Sequence, residues 1–259
     1  MAHTHHTQRI SLFYLSITSV HSMLATQRNR MFVSSRHNQT ILQEDINTLQ
    51  RSKSDNSCHL GADVLARVDS YPYLGVTISS DLKWHNHILH ITAKAPRRTF
   101  GFVRRSVYNC PPEVKSLVYT PLIRPQLEYV SAAWDPYLVG DIQQLEEVQR
   151  RPARFVFRDY KYTTSVTGLL ERLQWPLLST RCTNSRLTLF YKALHDQAGI
   201  SLHHLQKPLR NTRSADDTTF ISLSARKNPY LFSFFPRTIT DWNRLSREQC
   251  LKPSVNSFH

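Results

Sequence analysis

Acidic residues are scarce in this chain: 19 Asp and Glu stand against 33 Lys and Arg in 259 residues, for a formal net charge of +14. A chain so unbalanced repels itself, and a polyanionic partner is the simplest reason to tolerate that; the plainer alternative is a merely basic surface. Cysteine is sparse as well. Cys58, Cys110, Cys182 and Cys250 are far apart and form no Cys-x-x-Cys pair, which sets aside a zinc ribbon and a disulfide scaffold and favours a reducing compartment, nuclear or cytoplasmic. No run approaches the roughly 20 apolar residues that span a bilayer. The stretch Ile10 to Ile17 follows Arg9 like a short signal-peptide core, but Ser and Thr interrupt it and no small-residue cleavage pattern follows. No membrane partner is expected.

The basic residues that are present cluster. Residues 81 to 158 hold 12 Lys or Arg against 7 acids, and residues 159 to 213 hold 8 against 3. Residues 1 to 39 are rich in Ser, Thr and His, lack periodicity, and read as a disordered or unrelated N-terminal segment. Residues 51 to 60 form a polar linker. Gly61 to Ser70 alternates as one strand of a hairpin with Tyr73 to Ile78. From Asp81, a plausible N-cap, Trp84, Ile88, Ile91, Ala95 and Phe102 fall on one helical face, with Lys94, Arg97, Arg98, Arg104 and Arg105 on the rest.

A second helix is expected from Pro111-Pro112-Glu113, turning Val114, Leu117, Val118 and Leu122 inward. The clearest helix runs from Asp141 to Arg158. Asp141 with Gln144 resembles a capping box, and Ile142, Leu145, Val148, Phe155 and Val156 form the apolar stripe. Glu146 and Glu147 stand four residues before Arg150 and Arg151, each pair worth roughly 0.2–0.5 kcal/mol if exposed. A further helix is expected over Ser179 to Asp196, loop over 197 to 228, and a short final helix over Pro236 to Leu245. Pro96 and Pro152 sit inside helical patterns, where each would cost on the order of 3 kcal/mol.

Several candidate sites follow from residue type and spacing. Arg150, Arg154 and Arg158 recur every four residues with Arg151 beside them, a ladder of guanidinium groups suited to successive phosphates. Arg97, Arg98, Arg104 and Arg105 offer a second patch, and the competing reading of both is a solvated face balanced by acids. Ala215-Asp216-Asp217 has the form of a carboxylate pair for two metal ions, yet it follows Ser214 in a polar run that lacks the rigidity such chemistry requires. His85, His87 and His90, and likewise His3, His5 and His6, lack the Cys or carboxylate partners of a zinc site and read as surface histidines. No metal and no cofactor is implied. Trp134, Trp175 and Trp242 read as core anchors.

A family resemblance is carried by ordered segments: Tyr73-Leu-Gly75, Cys110-Pro-Pro-Glu-Val-Lys115, Ile123-Arg-Pro-Gln-Leu-Glu-Tyr129, Trp134-Asp-Pro136, Leu145 to Arg151, Ala153-Arg-Phe-Val156 and Phe234 to Asn243. From Thr40 to Phe258 the chain resembles the C-terminal part of the reverse transcriptase, an RNA-directed DNA polymerase, of jockey-like non-LTR retrotransposons, a family of mobile elements. The resemblance implies a mainly α fold: a helical thumb-like bundle with one small β-hairpin, an incomplete fragment of a reverse-transcriptase fold. Residues 40 to 80 would be a remnant of the palm edge, 81 to 196 the helical thumb and connection region, and 197 to 259 a loop-rich C-terminal region. It makes Tyr73, Leu74 and Gly75 a primer-grip-like hairpin, where glycine suits close approach to nucleic acid and the aromatic suits a sugar or base. Their bland reading is a strand of a small core.

The same resemblance implies an absence. The family holds its catalytic magnesium ions partly on an aromatic-Ala-Asp-Asp hairpin before the Tyr-Leu-Gly segment. Here Ile41 to Gln50 resembles the helix just after that hairpin, so the chain is expected to begin too late for the catalytic palm and not to be an enzyme. What remains would be a truncated fragment, at most a binding module for template and primer, taking RNA or an RNA–DNA hybrid weakly and without sequence preference. The alternatives are an inert translated remnant of a decayed element, which the two prolines favour, a retained protein-interaction module, or a chain given its palm by another.

Overall fold

The computed structural model describes residues 32–34, 58–60, 63–94, 99–200, 202–203, 205–208, 217–224, 228–252 and 254. Helix dominates them, and the strands lie near the start. Strands β1 (Phe32–Ser34), β2 (Cys58–Leu60) and β3 (Asp63–Arg67) form an antiparallel sheet in the order β1-β3-β2. Strands β4 (Ser70–Tyr73) and β5 (Val76–Ser79) form a separate hairpin, with Tyr73 opposite Val76. The expected pairing of 61–70 with 73–78 is not the one formed: the chain turns at Leu74-Gly75, inside the expected second strand, and Asp63–Arg67 pairs with β1 and β2 instead. β1 falls inside the segment read as irregular, and β2 inside the polar linker.

Helix α1 (His85–Lys94) begins four residues after the expected cap. Asp81 closes a local turn, accepting from the Lys83 N–H at 3.0 Å, and Trp84 accepts the first helical bond, from Ile88. Trp84, Ile88 and Ile91 are buried as expected. Further along the pattern from Asp81 to Arg105 the described residues form α2 (Gly101–Ser106), and Pro96 lies outside the described residues. In α2 it is Val103 that is buried, whereas Phe102 is exposed.

Helix α3 (Pro112–Leu122) has proline at its first position, as expected, but packs through a different face. Lys115 and Tyr119 are buried, and Val114, Leu117 and Leu122 face water. Both rows are spaced for a helix. The Tyr119 row prevails because its ring stacks on Trp175 with centroids 4.1 Å apart and continues into buried Ile123 and Leu127, a larger burial than the aliphatic row provides. Short helices α4 (Arg124–Glu128) and α5 (Ser131–Trp134) follow.

Helix α6 (Val139–Phe157) is the centre of the bundle, packing on α1, α3, α7 (Val166–Arg172) and α8 (Leu178–Leu194). Leu145, Val148, Phe155 and Val156 are buried as the stripe demands. The expected capping box is not made, because both of its residues reach across to α1. Asp141 lies 2.7 Å from the His85 ring, and the Gln144 amide donates to the Thr92 hydroxyl at 3.0 Å. Pro152 is held within the unbroken helix, on its buried side, so this proline does not end the helix. Leu187, Phe190 and Tyr191 of α8 form the rest of the central core. The C-terminal region adds α9 (Asn228–Leu231), α10 (Phe234–Trp242) and α11 (Arg247–Cys250). Trp134, Trp175 and Trp242 are all core residues. No helix among the described residues is long and apolar enough to cross a membrane.

Candidate nucleic-acid interface

The arginine ladder lies on the C-terminal half of α6, opposite the row that packs into the bundle. Arg150 and Arg151 are exposed. Arg151 lies 3.7 Å from Glu147 with both side chains more than half exposed, a pairing worth little in water. Glu146 does not balance Arg150 as its spacing suggested. Its carboxylate is buried and accepts from the backbone N–H groups of Leu178 and Ser179, at 3.2 and 2.8 Å, at the start of α8. A carboxylate there meets both unsatisfied amides and the positive end of the helix, a stronger attachment than an exposed pair along α6.

Lower on the ladder the guanidinium groups are partly engaged. Arg154 donates to the carbonyls of Lys161, at 2.9 Å, and Asp159. Asp159 organises the same turn by accepting from the Thr164 hydroxyl and the Lys161 N–H; the Thr164 bond first, then the Lys161 bond, holds its carboxyl below the usual range. Arg158 closes α6 in a left-handed conformation, φ 53°. Its guanidinium lies over the Tyr108 ring at 4.6 Å and donates to the Tyr108 carbonyl. Tyr108 comes three residues after Arg105, so the C-terminal ends of α2 and α6 meet. Arg104 and Arg105 are exposed in the last turn of α2. Arg97 and Arg98 lie outside the described residues.

No family model, no curated protein and no solved structure matches this chain. The functional reading therefore rests on its own residues.

The Tyr73-Leu74-Gly75 hairpin stands apart from the arginines. Leu74 and Gly75 are the turn, with φ of 46° and 87°, the two positive values of the tight turn that suits the twist of paired strands. Gly75 is required twice, by its dihedral and because a Cβ there would stand 3.3 Å from the Tyr129 ring. Leu74 is 57% exposed and Tyr129 52%. The hairpin tip is thus joined by an aromatic from the α4–α5 connection, a neighbour that spacing along the chain does not reveal.

The histidines separate rather than converge. His85 pairs with Asp141, and His90 is exposed. His87 is no surface residue: it is 1% exposed, accepts at Nδ1 from the Thr77 N–H at 3.2 Å, and meets Trp134 edge-on. Burial, and secondarily the charge of His90, lowers its pKa to about 4. Of the Ala-Asp-Asp segment, Ala215 and Asp216 lie outside the described residues, as do His3, His5 and His6; the Asp217 carbonyl accepts from Lys207 at 2.8 Å. Among the described residues no three His, Cys, Asp or Glu side chains are grouped to hold a metal ion.

One constellation passed unnoticed in the sequence. Arg186, 1% exposed, is held by Asp135 at 3.0 Å, Asp241 at 2.6 Å and the Thr238 hydroxyl at 3.2 Å. Arg237 approaches Asp135 at 3.3 Å and donates to the Asp135 carbonyl at 2.9 Å. Burial pushes the Asp135 carboxyl up, against the pull of both arginines. The network ties the Trp134-Asp-Pro136 segment and the Phe234 to Asn243 segment to α8. Both segments were visible in the sequence; that a buried arginine joins them was not.

Proposed function

We propose that this chain is a nucleic-acid-binding module related to the thumb and connection region of non-LTR retrotransposon reverse transcriptases. It takes RNA or an RNA–DNA hybrid through its phosphates, with little regard to base sequence. One observation carries the reading: Arg150 and Arg151 are exposed on a helix whose other side is core, while Glu146, the acid spaced to balance Arg150, is committed to α8 and Glu147 meets Arg151 only in an exposed pair. Guanidinium groups so placed contact phosphates without reading bases. The chain does not polymerise on its own in this reading. Its sequence has no aromatic-Ala-Asp-Asp segment, and among the described residues the buried carboxylates are occupied, Asp135 by Arg186, Asp141 by His85 and Glu146 by the α8 amides.

Binding of single-stranded RNA and of hybrid, measured across salt concentrations, tests this. Replacing Arg150, Arg151, Arg154 and Arg158 by Gln is expected to weaken both alike. It should also flatten the slope of log affinity against log salt by roughly 0.7 for each phosphate of a single strand that is no longer neutralised. Because Arg154 and Arg158 also hold loops, the pair Arg150→Gln/Arg151→Gln is the control for folding and should give part of the same effect. Unchanged affinity and slope would overturn the reading. That outcome would favour the second one, a protein-interaction module, whose support is the exposed Val114, Leu117 and Leu122 of α3.

A further inference from the structure

The loop that joins α6 to α7, residues 158 to 165, carries the two most exposed aromatic side chains among the described residues. Tyr162 is 96% exposed and Tyr160 61%, and Lys161 between them is exposed as well. Neither ring has a hydrogen bond or a ring partner among the described residues. Other tyrosines of the chain do: Tyr119 stacks on Trp175, Tyr137 on Phe232, and Tyr108 lies beneath Arg158. A tyrosine ring is largely apolar, and one left in water adds nothing to the core.

The backbone under these rings is held on both sides. The N–H groups of Arg158 and Asp159 bond back to the Phe155 and Arg154 carbonyls, at 3.2 and 3.1 Å. The Lys161 carbonyl accepts from the Arg154 guanidinium at 2.9 Å and from the Thr164 N–H at 3.3 Å. Asp159 accepts from the Lys161 N–H at 3.1 Å and from the Thr164 hydroxyl at 2.9 Å. With the loop fixed in this way, a tyrosine has only two side-chain torsions left to order, so a partner that meets the rings loses little entropy.

The charged groups of the loop are mostly basic. Arg154 belongs to the ladder and touches the loop directly, Arg158 opens it, Lys161 separates the two rings, and Arg172 lies over the ring of the preceding Phe157 at 4.2 Å. The loop's one carboxylate, Asp159, is taken up by Thr164 and the Lys161 N–H. Bare aromatic rings among cations suit a partner that is anionic along its backbone and offers flat π faces, which describes a nucleic-acid strand with its bases unpaired.

We propose that Tyr160 and Tyr162 form a stacking platform for unpaired bases of a single-stranded nucleic acid whose phosphates follow the arginine ladder. The proposal rests on the nucleic-acid reading and sharpens its substrate class. The ladder takes phosphates of a single strand or of a hybrid, whereas the rings select the single strand, because the bases of a hybrid are paired and stacked on one another. Every base has a π face, so the platform reads no sequence.

The whole chain is titrated with a single-stranded RNA, with a strand of abasic spacers carrying the same number of phosphates, and with an RNA–DNA hybrid of equal length. Wild type is compared with Tyr160→Ala/Tyr162→Ala and with Tyr160→Phe/Tyr162→Phe. The Ala pair is expected to weaken binding of the single-stranded RNA by about tenfold or more. It should leave the abasic strand, the hybrid and the salt slope unchanged, since no phosphate contact is lost, and the Phe pair should keep the wild-type affinity. Both rings are in water, so the thermal midpoint of the Ala pair should match that of the wild type. If the Ala pair binds single-stranded RNA as the wild type does, or weakens all three ligands equally, the platform is overturned while the phosphate reading of the ladder stands. A wild type that binds none of the three removes the nucleic-acid reading and the platform with it, and leaves the exposed rings to a protein partner.

Discussion

Two corners of the bundle place basic side chains among apolar ones and treat them differently. Where α8 meets α10, Arg186 is enclosed by Asp135, Asp241 and Thr238, with Arg237 closing the outer side. Where α2, α3 and α6 meet, the Lys115 side chain is also buried, but its ammonium lies over the Phe155 ring with no carboxylate beside it among the described residues. The first corner is closed by carboxylates of the chain and the second is not. Arginine content alone therefore says little about binding; a basic side chain acts as a strut where carboxylates of the same chain arrive to meet its charge.

The largest effect should come from breaking the complete corner. Arg186→Met leaves the buried Asp135 and the partly buried Asp241 without their shared partner, and a loss of about 3–5 kcal/mol is expected, as when one member of a buried ion pair is removed. Urea unfolding measures it. A loss below about 1 kcal/mol, the level of a surface pair, would mean the two corners do not differ as described. His87 offers a third fate for a buried base, which is to give up its charge. Its pKa is lowered in the folded chain to about 4 from 6.5, so the unfolded chain binds the proton first. The stability it contributes is complete above pH 6.5 and is lost as pH falls toward 4, on the order of 3 kcal/mol in all. His87→Gln should flatten that dependence; a slope identical in both proteins would show that other groups set it. The smallest effect is at the hairpin tip. Leu74 holds a positive φ that costs a leucine roughly 1 kcal/mol and suits asparagine, so Leu74→Asn should raise the unfolding midpoint slightly, and a lowered midpoint would show that the exposed leucine is packed against something.

Much of this architecture was legible from periodicity and terminus signals. The proline-led start of α3, the stripe of α6 and the span of α8 all follow from local rules that the tertiary structure did not override. What was not legible depends on partners remote in sequence. The inward face of α3 was misjudged because Lys115 shares a row with Tyr119, and a lysine argues against burial until Phe155 and Trp175 are known to lie opposite. Glu146 matched an i,i+4 pair, yet the amides at the start of α8, 32 residues on, hold it. His87 read as solvent-exposed because its neighbours His85 and His90 are. Of the candidate site, the exposed Arg104, Arg105, Arg150 and Arg151 were readable directly. That Arg154 and Arg158 also clasp loops, and that Tyr129 borders the Leu74 turn, required the fold.

The enclosed Arg186 has a consequence for the order in which the chain can be completed. Its partner Asp241 lies 55 residues later. At a synthesis rate of roughly 5–20 residues per second, several seconds pass between the emergence of the two. During that interval α8 can dock on α6, but its arginine has only Asp135 to meet, and the corner stays open to water and to other chains. The last helices thus act as a closing latch, and a nascent chain halted before Asp241 would be the species a chaperone meets.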